Sequence, residues 1–123
     1  MTTQHMATIL KTATGAAHDY TTTARDTSLP LEDRRQAARD ADSEWHVTLR
    51  LATRLKELAE QEYATLTPKV QALAPDDYSR DAIELDNLWR NWGELAEDMD
   101  ALALKSAASA TVEKTLDAEI HGL

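Results

Sequence analysis

Apolar residues recur at threes and fours along almost the whole chain, the spacing that gathers them on one face of an α-helix. Met6, Ile9, Leu10, Ala13, Ala17, Tyr20 and Ala24 predict a first helix over about 4–25. Nine Thr lie between Thr2 and Thr27, and β-branched side chains lose rotamer freedom in a helix. That helix should therefore depend on packing and fray at Thr21, Thr22 and Thr23.

Pro30 suits a first helical position, and Glu32 and Asp33 then fall where the helix dipole favours anions. Leu31, Ala38, Ala41, Trp45, Leu49, Ala52, Leu55, Ala59, Tyr63 and Leu66 predict a second helix over about 30–66, closed by Thr67-Pro68. Within it Val47, Leu51 and Leu58 add a second apolar line, an arc wide enough for two neighbours.

Pro75-Asp76-Asp77 supply a turn and a cap for a third helix over about 78–120. Its stripe is Tyr78, Ala82, Leu85, Trp89, Trp92, Ala96, Met99 and Ala103, broadened by Leu88, Leu95 and Leu102 into a pattern of coiled-coil type. At 106–110 (SAASA) the phase changes, and Leu104, Val112, Leu116 and Ile120 fall on another side. The helix breaks there or changes partner; alanine-rich sequence favours the continuous form.

The expected fold is all-α: one domain over 1–123, an antiparallel three-helix bundle with a long helical hairpin. Folding back near residue 72 sets residue i of the second helix opposite about 144 − i of the third, so Trp45 meets Met99. The first loop likewise sets Leu10 beside Trp45 and Ala17 beside Ala38, and the first helix runs out near Leu49. A two-helix arm remains, about 52–66 with 78–92. Its Leu51, Leu55, Leu58, Ile83, Leu88, Trp89 and Trp92 form more apolar surface than two helices cover. That surface is expected to be an interface, for a two-fold homodimer in which two arms make a four-helix bundle or for a protein partner.

Composition narrows the classes. The chain has no Cys, which excludes disulfides and thiolate chemistry, and no run of about 18–20 apolar residues that would span a bilayer. A soluble, cytoplasmic protein is expected. The formal net charge of −9 repels phosphate backbones, so direct nucleic-acid binding is not expected. Nine acidic residues between Asp76 and Asp100 are opposed only by Arg80 and Arg90. Glu94, Glu97, Asp98 and Asp100 are the candidate acidic surface, read as a solvated face or as a nucleic-acid mimic that docks a basic partner.

Signals for catalysis are sparse. No Glu stands three residues before any of His5, His18, His46 or His121, and no Gly-flanked Ser or phosphate-cradling Gly loop is present. No catalytic residue and no cofactor is assigned. Glu57-Leu-Ala-Glu60 and Asp81-Ala-Ile-Glu84 are paired carboxylates of a kind that holds Mg²⁺. They resemble in part the ExxE…ExxD pattern of all-α MazG-like nucleotide pyrophosphohydrolases, although the second half reads DxxE. The resemblance implies Mg²⁺-dependent nucleotide hydrolysis at Glu57, Glu60, Asp81 and Glu84. The reading that leads is a non-enzymatic helical interaction module: an adaptor, inhibitor or assembly factor acting through the arm.

Overall fold

The computed structural model describes residues 3–122, apart from the side chains of residues 3, 112, 113, 115–117, 120 and 121. Three helices account for nearly all of it: α1 (Thr3–Arg25), α2 (Leu31–Gln71) and α3 (Arg80–His121). They form the expected antiparallel three-helix bundle. α2 is central and packs against both neighbours, whereas α1 and α3 approach each other only sparsely.

Helix α1 stays regular to Arg25 despite its threonines, contrary to the expected fraying. The hydroxyls of Thr8, Thr14, Thr22 and Thr23 each donate to the carbonyl four residues earlier, at 2.8–3.1 Å, and so find partners inside the helix. The connection to α2 is an Asx turn. The Asp26 carboxylate accepts from the Ser28 N–H at 3.0 Å and the Ser28 hydroxyl at 2.6 Å, which holds its pKa below the usual carboxylate range. Arg34 Nε donates to the Ala24 carbonyl at 3.0 Å and ties the two helix ends together.

The second turn lies later than Thr67-Pro68 suggested. α2 runs through Pro68 to Gln71, because Thr67 is held from both sides: its hydroxyl donates to the Tyr63 carbonyl at 2.7 Å and accepts the Trp89 indole N–H at 2.9 Å. That tertiary contact secures the last turn across a residue that lacks an amide donor. α3 is capped by Ser79, whose Oγ accepts the Ala82 N–H at 3.3 Å, while Asp77 accepts the Ser79 N–H at 3.0 Å. Tyr78 therefore precedes the helix instead of opening its stripe, and it is 80% exposed.

These boundaries shift the register. Lys56 Nζ lies 2.8 Å from Asp100 Oδ1, and Trp45 clusters with Ala110. Residue 56 thus faces 100 instead of 88, and α3 is displaced by about three turns from the expected alignment. Trp45 meets His18 edge-on at 4.9 Å and donates to the Thr21 hydroxyl at 3.2 Å, whereas Leu10 clusters with Ala52 and Leu55. The later turn explains part of this displacement. The rest follows from side chains leaning toward their own helix N-terminus, so that antiparallel neighbours meet a turn or more off the backbone level.

The core has two characters. Met6, Leu10, Ala52 and Leu55 form one cluster, with Leu51, Leu58, Met99, Leu102 and Ala103 packed on it. Toward the other end, among the described residues, Ala17, Ala24, Ala37, Ala38, Ala41 and Ala110 dominate, with Trp45 the large filler. α3 passes 106–110 unbroken. Ser106 and Ala110 are buried, so the stripe continues in small residues that let α3 lie close to Trp45, while Leu104 is 68% exposed. The side chains of Val112, Leu116 and Ile120 lie outside the described residues.

Candidate interaction surface

The hairpin beyond α1 is held by an aromatic clamp. Tyr63 of α2 stacks on Trp89 of α3 with ring centroids 5.0 Å apart and planes at 17°, and Trp89 is fixed by its bond to Thr67. Gly93, one turn along α3, admits the Tyr63 ring: a Cβ there would lie 2.9 Å from Tyr63 Cε2. Trp89 is half-buried as a result and faces α2.

Apart from Trp89, the residues expected at the interface divide into three places. Leu55, 1% exposed, belongs to the core under α1, and Leu51 and Leu58 pack against that same core. The reason is the register, which carries α1 past Leu55 instead of ending it near Leu49. Ile83 and Leu88 remain exposed at 49% and 47%, but five residues, or about 500°, set them on opposite flanks of α3. Ile83 joins Tyr78, Val70, Leu73, Asp86 and Arg90 around a shallow hollow of about 480 Å³ at the tip. Leu88 lies on the other flank with half-buried Trp92.

On that second flank the stripe continues into a cleft between α1 and α3. Leu10 of α1, Leu55 of α2 and Leu95, Met99 and Leu102 of α3 line it, with a volume of about 500 Å³. The cleft exists because α1 and α3 both lean on α2 without closing on each other. Among the described residues its charged lining residue is Lys11; Thr14 and His18 also border it. Leu88, Leu95 and Leu102 announced this flank in the sequence as a second apolar line. The contribution of Leu10, Lys11 and Met99 depended on a register that the sequence did not supply.

The acidic residues are also divided. Glu94, Glu97 and Asp98 are exposed, but Asp100 pairs with Lys56, and the contact raises the Lys56 pKa through the hydrogen bond first and the charge second. Arg80 and Arg90 are paired along α3 with Glu84 at 3.0 Å and Asp86 at 2.8 Å. Asp77 is held below the usual carboxylate range by the backbone N–H of Ser79.

The carboxylates of the nucleotide-hydrolase resemblance do not converge. Glu60 borders a hollow with Tyr63, Gly93 and Glu97, whereas Asp81 and Glu84 begin α3 at the hairpin tip, beside the last turn of α2. About three turns of helix separate the two pairs, the same displacement that moved the register. No three His, Asp or Glu among the described residues are grouped so as to hold a metal ion. Nor is any described helix long and apolar enough to cross a membrane. No protein-family model, curated protein or solved structure matches the chain.

Proposed function

We propose that the protein is a non-enzymatic helical interaction module, an adaptor, inhibitor or assembly factor that acts by packing a further helical surface onto its hairpin. The observation that carries this reading is the flank of α3 from Leu88 through Trp92 to Leu102. Its apolar stripe begins in the arm, where Leu88 is half exposed, and ends in the open α1–α3 cleft. Helical bundles bury such a stripe under a neighbouring helix, and an apolar surface left without one is the usual mark of an association site. Packing there is of coiled-coil type, with a dimer of this chain or a protein partner as the completing element.

A photo-crosslinking amino acid at position 88 tests the reading in cells that produce the protein. A discrete adduct, to a second copy or to one other protein, is expected at 88 and not at an exposed control position such as 60. Absence of any adduct specific to position 88, with the protein folded and at its normal level, rejects it.

A further inference from the structure

The cleft and the arm of one chain are complementary to each other. On α3, Asp81, Leu85, Leu88, Trp92, Leu95, Met99 and Leu102 alternate spacings of four and three, so one heptad seam runs from an acidic head to the floor of the cleft. Asp81 is exposed and makes no hydrogen bond or ion pair with any described residue; the same holds for Lys11 in the cleft wall. Near the hairpin tip Asp76, Asp77, Asp81, Glu84 and Asp86 outnumber Lys69, Arg80 and Arg90, and the two arginines are paired within α3. The tip is thus a net-negative apolar edge, and the cleft is an apolar groove with a cation.

The distances match as well. Ala17 and Ala110 share a cluster with Trp45, so Lys11 stands level with about Leu104 on α3. Asp81 and Lys11 are then nearly equidistant from Trp92, each about eleven residues or roughly 17 Å along the axis. A two-fold axis at Trp92, perpendicular to the helices, brings each to the other in a second copy.

We infer that the occupant of the cleft is the arm of a second copy of this chain. The two α3 seams cross antiparallel at Trp92. Leu85 and Leu88 of each copy lie against Leu10, Leu95, Met99 and Leu102 of the other, and each Asp81 meets the other's Lys11. Such an interface is isologous, so one pairing rule is satisfied twice and the assembly closes at two. The inference rests on the interaction reading above and adds the identity and the register of what docks.

Sedimentation equilibrium on the full chain from low to high micromolar tests it, with circular dichroism confirming that each variant is folded. Wild type is expected at twice its 13.7 kDa chain mass. Lys11→Glu and Asp81→Lys each place like charges together at two symmetric contacts, and each should raise the dimer Kd about tenfold. The double variant restores the pairing with signs exchanged and should return Kd to within about threefold of wild type. Leu88→Arg, at a half-exposed position, should abolish the dimer.

A dimer indifferent to all three changes overturns the arm-in-cleft register but leaves self-association standing. A chain that stays monomeric to high micromolar overturns the second copy as occupant. In that case an adduct of position 88 with a different protein preserves the interaction-module reading, and the absence of one removes both.

Discussion

Gly93→Ala isolates the clamp that holds the arm together, because two known effects of the substitution oppose each other there. In an exposed helix interior, replacing Gly with Ala stabilises by about 1 kcal/mol through reduced backbone entropy. At position 93 the added Cβ would lie 2.9 Å from Tyr63 Cε2 and 3.1 Å from Cδ2. The Tyr63 ring cannot yield freely, since it is stacked on Trp89, and Trp89 is tied to Thr67. If the ring stays, overpacking costs about 1–3 kcal/mol; if it swings out, the stacking contribution of about 0.5–1.5 kcal/mol is lost. Net of the helix gain, the single substitution should destabilise by about 1 kcal/mol if the ring holds and leave stability about unchanged if it swings out. In a Tyr63→Ala background the obstacle is gone, and the same change should stabilise by about 1 kcal/mol. Urea unfolding followed by circular dichroism measures all four proteins. Loss of the helix gain wherever Tyr63 is present, a coupling of about 1–2 kcal/mol, is the expected result. Equal stabilisation in both backgrounds would refute the close approach of Tyr63 to α3 and with it the register of the hairpin.

Other substitutions probe neighbouring claims. Thr67→Val removes both the acceptor of the Trp89 indole and the bond to the Tyr63 carbonyl, and should cost about 1–2 kcal/mol in urea unfolding; an unchanged midpoint would show that Pro68 is accommodated without that contact. The hydroxyls of Thr48 and Ser106 are buried without a hydrogen-bond partner among the described residues. Thr48→Val and Ser106→Ala should therefore stabilise by about 0.5–2 kcal/mol each, and a loss of melting temperature would contradict that assignment. The lowered pKa values of Asp26 and Asp77 mean that their contribution to stability is complete above about pH 4 and lost as pH falls through the lower folded values. Carboxyl-carbon NMR should find both titrating below the ordinary aspartate range; midpoints within that range would exclude the Asx turns. Lys56 has the opposite sign: its contribution is complete below the ordinary lysine range and is lost as pH rises through the raised folded value. Asp100→Asn should bring the Lys56 titration back toward that range, which NMR of the ε-carbon reads directly.

Helix type and order were legible because they rest on local information. The three-and-four spacing of Met6–Ala24, Leu31–Leu66 and Ala82–Ala103, and the sparsity of Gly and Pro, specify three helices however they pack. Helix ends were legible only to within a turn. Thr67-Pro68 reads as a stop by its local chemistry, yet the helix passes through it because Trp89, distant in sequence, holds Thr67. The alanine-rich stretch at 106–110 read as a change of phase, with the continuous helix favoured, because buried small residues leave no apolar mark, although Ser106 and Ala110 are both buried.

For the candidate surface the division is sharper. The sequence by itself determined that one flank of α3 is apolar from Leu88 to Leu102 and that its outer face carries Glu94, Glu97 and Asp98. Only the tertiary structure decided that Leu55 is core, that Ile83 and Leu88 sit on opposite flanks, and that Glu57 and Glu60 are remote from Asp81 and Glu84. The physical reason is that amphipathic periodicity fixes the rotation of a helix about its axis and says nothing of its translation along a neighbour. Translation is set by where the turns close and by which way long side chains lean. Here those two effects moved α3 by about three turns, and with it the place where α1 stops covering the seam.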